Sequence, residues 1–456
     1  MGQTIIVLND WAVTNEVLGK HAADTASRPL SVVTRDLAGW DREVALQPDI
    51  DIVRVERKYI LQALGSPKQL ETYADKINLE ARRFLLRLLE EPAEFASHIR
   101  RQTGTTILNI AYGYNVEPHG PDLLLELSDL SAKQLGLALS PGAWAMDLFP
   151  ILQYLPSFFP GGYVKRLARH WRKTLDELSE KPYRFVLRQM DNGKHQESYV
   201  SRHLESLDHE PSPQEERTIK WTAANMYAAG SDTTIISIHV FFFAMVQNPE
   251  VQLRAQREID EVVGRDRLPE TEDLENLPYV NAVISEVLRW HPVGPIGLPH
   301  RAIKDVCYKD YIIPEGAILI ANLWAINRDP KLYKDPSSFQ PSRFMDRGTE
   351  ESHPSEAEPD PRQFVFGFGR RICPGRFLAD ATLFLTIAKT LAAYKIGKVI
   401  RDGKEINVTA DFQPGLLSHM VDFEASIVPR HDKVEGLVRA VEIENPWAPG
   451  DSKELE

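Results

Sequence analysis

Apolar positions recur with a helical period through most of this chain. From about Lys68 to Phe241 the spacing predicts a run of amphipathic helices, Glu71–Glu91 and Asp122–Leu139 among them. Ser212-Pro213-Gln214-Glu215 reads as a capping box with proline at the first helical position. Gly230 apart, no helix breaker follows until Asn248-Pro249. That predicts one helix of roughly 36 residues, about 50 Å at 1.5 Å per residue, long enough to run through the middle of a large domain. Further helices are expected over Glu250–Val263, Tyr279–Trp290 and Pro374–Tyr394, with strand-like segments at Val306–Ile313 and Ala317–Ala321. Residues 1–60 read as short strands and loops, residues 346–362 as a polar, acidic, Pro-rich surface loop, and the tail beyond about His431 as poorly ordered. Many helices with few short strands make the fold mainly α. The aromatic, Pro-rich stretch Leu148–Tyr163 fits a channel mouth, a membrane-facing surface or an ordinary buried loop.

Composition narrows the function. The 456 residues are 43% hydrophobic and 26% charged, enough for a core that encloses a large apolar pocket. A net charge of -12 argues against nucleic-acid binding, which needs clustered Lys and Arg. Two cysteines, Cys307 and Cys373, exclude a disulfide framework and fit a reducing compartment. Cys307, inside the strand-like segment, is expected to be a small buried hydrophobe. The apolar runs Ile5–Leu8 and Val240–Val246 fall well short of the ~20 residues needed to cross a bilayer, and there is no secretory signal.

Cys373 stands in Phe366-Gly367-Phe368-Gly369-Arg370-Arg371-Ile372-Cys373-Pro374-Gly375. The glycines allow a tight loop and close approach to a flat ligand. Pro374 is expected to open a helix directly after the cysteine, where the dipole and free N–H groups favour thiolate. Arg370, Arg371 and Arg376 add positive charge able to support a thiolate and grip carboxylates.

Midway along the long helix lies Ala228-Ala229-Gly230-Ser231-Asp232-Thr233-Thr234. Glycine costs about 1 kcal/mol against alanine in a helix interior, so its presence needs a reason. Room for a small ligand and a close helix–helix crossing both supply one. Thr233 is expected to bond the Ala229 carbonyl while presenting its hydroxyl outward.

The cysteine loop matches Phe-x-x-Gly-x-Arg-x-Cys-x-Gly at every specified position, and so resembles the haem-binding signature of cytochromes P450. The helix motif resembles the oxygen-activation motif of the same family. The resemblance implies haem b, with Cys373 as the iron ligand, and Phe366, Gly367, Arg371 and Gly375 among the haem contacts. It also implies Thr233 and Asp232 as the catalytic pair that handles protons at the oxygen site. Glu286-Val287-Leu288-Arg289 resembles the family's Glu-x-x-Arg pair, completed by Arg343 in Phe339-Gln340-Pro341-Ser342-Arg343-Phe344, where Ser342 replaces the usual glutamate. Spacing alone does not single this pair out. Glu80-Ala81-Arg82-Arg83 offers the same spacing and is read as a solvated surface pair.

In family register His300 and Arg57 are further haem-propionate contacts, although Val53 stands where Trp of the Trp-x-x-x-Arg pattern is expected and the usual Tyr-Gly loop is absent from Gln47–Val53. Register also nominates pocket residues: Asn225, Met226 and Ala229 with Thr233; Val293, Ile296 and Leu298; Leu416 and Leu417. Some of these are expected to be plain core. Most are apolar, which predicts a lipophilic substrate. The resemblance is near to fungal mono-oxygenases of secondary metabolism, the O-methylsterigmatocystin-oxidoreductase-like group, through Gly39-Trp40-Asp41, Leu148–Tyr163 and Asn327-Arg328-Asp329-Pro330. It implies a catalytic domain over 1–430 and a tail over 431–456. It implies O2 as co-substrate, electrons from NADPH through an NADPH-cytochrome P450 reductase docking near Arg370, Arg371 and Arg376, and a terpenoid, polyketide or aromatic-alkaloid substrate. It also implies the cytoplasmic face of the endoplasmic reticulum membrane, although the family's N-terminal anchor and hinge are not in this chain. A haem-binding protein without turnover is the alternative; the intact Asp232 and Thr233 favour an enzyme.

Overall fold

The computed structural model describes residues 2–29, 31–140, 142–156, 158, 162–345, 358–413 and 415–455. Strand β1 (Ile5–Leu8) is followed by short helical turns and then helix α1 (Ile50–Leu64), whose N-terminus is capped by the Asp49 carboxylate on the N–H groups of Asp51 and Ile52. This corrects the expectation of strands and loops over residues 1–60. The buried row of α1 is Val53, Glu56, Ile60 and Leu64, and the glutamate in it interrupts the apolar period.

Helices α2 (Ala74–Glu90), α3 (Phe95–Tyr112), α4 (Leu123–Ala138) and α5 (Tyr163–Asp191) follow. The long helix forms as expected: α6 spans Pro213–Gln247, and its capping box is closed by Ser212 and Glu215. It is buried on nearly all sides, packing against α1, α3, α4 and α5 and against the later α9 (Arg376–Ala393). Among the described residues α6 is the one helix long and apolar enough to cross a membrane, yet its apolar surface lies inside the protein. Helices α7 (Pro249–Val262) and α8 (Pro278–Trp290) complete the bundle around it.

The sheets are small. Strand β5 (Ile318–Ala321) lies between β1, parallel, and β2 (His300–Arg301), antiparallel, with Ile5 opposite Ile318 and His300 opposite Leu319. The segment 306–313 is a hairpin, β3 (Val306–Tyr308) and β4 (Tyr311–Ile313), turning at Lys309 with φ 50°. Alternation turns Val306 inward and Cys307 outward, so Cys307 is exposed, not a buried hydrophobe. Strands β6 (Tyr394–Gly397) and β9 (Ser426–Pro429) pair antiparallel, as do β7 (Ile400–Arg401) and β8 (Lys404–Glu405). Most of the loop expected over 346–362 (residues 346–357) lies outside the described residues.

The tail departs from expectation. Helix α10 (Val434–Glu444) buries Val434, Val438 and Val441 against α2, and Asp451 exchanges hydrogen bonds with the backbone of Asn115. Trp447 stacks on the guanidinium groups of Arg83 and Arg87. Under this cover Glu80 is buried, 2.8 Å from Arg83 and 3.4 Å from Arg87. The Glu80 pair is therefore not solvated. Its spacing matched a surface pair, and the tail that covers it is more than 350 residues away in sequence.

Candidate active site

The cysteine loop faces α6 across an internal cavity with about 330 Å3 open to the centres of water molecules, its walls mostly apolar. Two features shape the loop. Gly369 has φ +52°, and a Cβ there would sit 2.5 Å from the Leu18 carbonyl oxygen and 2.6 Å from the Ala22 Cβ, so only glycine lets the loop rest on that early segment. The Cys373 N–H donates to the Phe366 carbonyl at 2.7 Å, closing the loop so that Sγ opens on the cavity. Helix α9 begins at Arg376, not at Pro374; residues 374–375 form a turn whose Gly375 N–H is turned toward the sulfur. Burial pushes the Cys373 thiol up, opposed by that N–H and by the nearby charges of Arg57 and Arg376.

Phe366, Gly367, Gly375, Arg57, Arg371 and His300 line the same cavity. Arg28, which carries no sequence motif and was missed, lines it too. Arg371 donates to the carbonyls of Ala26, Val44 and Gln47, and Arg28 to those of Ala45, Leu298 and Pro299. Among the described residues the Arg57 guanidinium has no hydrogen-bond or ion-pair partner. Burial and mutual repulsion hold this group of bases below their usual values: Arg371 falls to about 10, and Arg28 and His300 fall well below normal. His300 gives its Nδ1–H to the Thr25 carbonyl at 2.9 Å, so it could donate through Nε2 only when doubly protonated. Three arginines and a histidine crowded around one cavity, with Glu56 the one carboxylate acting on Arg371, are unfavourable unless a ligand brings negative charge. A flat macrocycle with two carboxylates and an iron seeking sulfur fits this donor set.

On the opposite wall Thr233 donates to the Ala229 carbonyl at 2.9 Å, as expected. Gly230 has a plain cause: a Cβ there would lie 2.8 Å from Cγ1 of Ile107, so the glycine admits the crossing of α3 while its neighbour Ala229 borders the cavity. Asp232 is not free. His419, from the C-terminal turn, sits 3.2 Å from one of its oxygens and 3.3 Å from the other. No sequence signal pointed to His419.

Asn225, Met226, Val293, Leu298, Leu416 and Leu417 line the cavity as register suggested, whereas Ile296 does not. A tight turn closed by Gly297 N–H on the Gly294 carbonyl (2.9 Å) leaves Ile296 38% exposed on the outside. Behind the loop, Glu286 accepts from Arg289 Nε (2.7 Å) and Nη2 (2.8 Å), from Arg343 Nε (3.3 Å) and from the Gln340 N–H (2.7 Å). Arg343 also pairs with Glu358 at 2.5 Å, a partner that the sequence did not suggest.

A long central helix facing a cysteine loop over an apolar, base-rimmed cavity defines the class of haem-dependent oxygenases. The family model described as Cytochrome P450 matches residues 1–419, and the chain belongs to that family. Among its relatives are cytochrome P450 monooxygenase ppsD of Aspergillus oryzae, 39% identical over 100% of this chain and 85% of the relative, and cytochrome P450 monooxygenase claR of Ampulloclitocybe clavipes, 38% identical over 100% and 83%. O-methylsterigmatocystin oxidoreductase of Aspergillus flavus is 36% identical over 100% and 84%. The protein is a mono-oxygenase that uses haem b, O2 and electrons from NADPH delivered by a redox partner to oxidise a small molecule.

Proposed function

We propose that Cys373 is the proximal thiolate ligand of the haem iron, and that the chain oxidises a lipophilic secondary metabolite of terpenoid, polyketide or aromatic-alkaloid type in the cavity under α6. When bound, the haem supplies dioxygen activation, and a thiolate ligand favours O–O cleavage. The observation that carries this reading is the crowd of mutually repelling bases around the cavity that Cys373 opens on. Arg28, Arg57 and Arg371 would hold the two haem carboxylates, His300 joining them only when doubly protonated, while Phe366, Gly367 and Gly375 would form the surface against the ring.

Thr233 and Asp232 bring protons to the oxygen site. Thr233 must turn its hydroxyl from the Ala229 carbonyl to donate into the cavity, and Asp232 must part from His419 to pass a proton on. Asp129, raised by burial and close to Asp232, His419 and Arg100, continues a charged route toward the exposed Arg100–Asp422 pair. Glu286, Arg289 and Arg343 hold the loop geometry and do no chemistry. Apolar walls select a lipophile, and a relative named for O-methylsterigmatocystin supports a small metabolite as substrate.

On the far side of Arg57 and Arg371, an open cleft lined by Val53, Arg54, Lys58 and Arg370 forms a basic face that suits an acidic flavoprotein reductase. Ile151, Tyr154 and Phe158, each more than 70% exposed, suit a membrane surface at the cytoplasmic face of the endoplasmic reticulum. The test is Cys373→Ala, with haem content and the reduced carbon monoxide spectrum as readouts. Loss of the thiolate-type Soret band is expected. An unchanged spectrum with full haem content would overturn the assignment.

A further inference from the structure

Helix α4 (Leu123–Ala138) turns one face inward, burying Leu124, Leu127, Ser131 and Ala138 against neighbours that include α5 and α6. It contributes no residue to the cavity. On its other side Leu123, Leu130 and Leu137 are 42%, 43% and 58% exposed. A single exposed leucine is ordinary. These three recur every seven residues, which holds them in one row about 21 Å long that drifts by only about 20° per heptad. Interleaved with them stand two exposed charges, Glu126 and Lys133, themselves seven residues apart. Neither forms an ion pair among the described residues. Asp129, at the flank of the row, feels Lys133 through space but is balanced first by Arg100. Gly136, also at the flank, stands in the helix interior, where glycine costs about 1 kcal/mol against alanine. A Cβ there would meet nothing within 4 Å, so no packing inside the chain accounts for it.

The row is its own complement when a second copy is laid across it in the opposite direction. With Leu130 set against Leu130 of the other copy, Leu123 meets Leu137, and Glu126 meets Lys133 at both ends of the seam. A parallel arrangement would set Glu126 against Glu126 and Lys133 against Lys133. Opposed directions are also what a two-fold axis across the helix requires, because residues on such an interface must contact reciprocally. We propose that the exposed row of α4 is the contact surface of a homodimer in which the two α4 helices pack antiparallel, with Glu126 and Lys133 pairing twice across the axis. A lipid surface, which suits Ile151, Tyr154 and Phe158, gives no reason for opposite charges within the row.

The test is sedimentation equilibrium of the haem-loaded full chain in detergent-free buffer at low salt. One helix pair is a small interface, so the parent is expected to dimerise with a dissociation constant on the order of 10–100 µM. Glu126→Lys and Lys133→Glu each turn two attractive pairs into two repulsive ones, and should each weaken the dimer roughly 10-fold. Mixing the two single variants restores opposite charges across the axis, and the mixture should associate like the parent. So should the chain that carries both substitutions. Recovery in the mixture also shows that each single variant is folded. A parent that remains monomeric at on the order of 1 mM, far above that range, overturns the proposal. Single reversals that leave the constant unchanged, or a mixture that associates no better than either variant alone, overturn it too. Phosphatidylcholine vesicles that retain the parent but release Leu130→Glu, with no dimer in their absence, would assign the row to lipid and sink the dimer as well.

Discussion

Replacing Glu286 by alanine isolates what a buried charge trio is worth. Glu286 and Arg289 are 0% exposed at the side chain and Arg343 is 2% exposed, so no water reaches the pairs. Deleting the carboxylate strands two guanidinium groups in the core and removes the acceptor of the Gln340 N–H. Breaking a buried pair in this way typically costs about 3–5 kcal/mol. For a chain of this length the unfolding entropy is on the order of 1 kcal/mol per kelvin, so the midpoint should fall by roughly 3–5 °C. The remaining carbonyl partners of Arg289, on Asn327, Pro336 and Ser338, soften the loss without replacing the charge. A matched control is Glu424→Ala, which breaks the Arg401 pair at a similar 2.9 Å but with both partners about 60% exposed; it should cost less than about 1 kcal/mol. Urea unfolding followed by circular dichroism gives both values, and haem retention under mild denaturant reports whether the cysteine loop loosens first. If the two variants differ by less than about 1 kcal/mol, the trio is not what holds the loop.

Three other variants have defined outcomes. Glu43 is buried, and desolvation raises its carboxyl to about 7, only partly opposed by Arg42. A carboxyl raised in the folded state gives stability that is intact below its unfolded value near 4.5 and is lost as pH rises through 7. Glu43→Gln should therefore match the parent near pH 4.5 and exceed it by up to about 3 kcal/mol at pH 8; a pH-independent difference would contradict the desolvation account. Thr233→Ala should keep haem and NADPH consumption but divert turnover to hydrogen peroxide, and His419→Gln should alter coupling and its pH profile with less effect on substrate affinity. Coupling measured as product per NADPH that stays at the parent value in both variants would remove the proton route.

How much was legible beforehand differs from element to element. Helix α6 was readable almost to the residue because its information is local: a capping box, a proline at the start, and no breaker until Asn248-Pro249. Helix α1 was not, because Glu56 in its buried row hides the period, and that carboxyl is raised to about 7 by burial. The two Glu-x-x-Arg spacings were indistinguishable as strings, and both prove buried, one under the C-terminal tail and one under the segment 336–343.

By itself, the sequence determined the mainly helical class, the central helix, the cysteine loop, and the kinds of residue that meet at the cavity, since these depend on periodicity, capping and a contiguous motif. Only the tertiary structure decided which groups complete the site: Arg28 beside Arg371, His419 on Asp232 and Glu358 on Arg343. Those contacts join segments up to about 340 residues apart. They are set by how the packed helices bring loops together, and burial then fixes their strength by removing the water that would screen them.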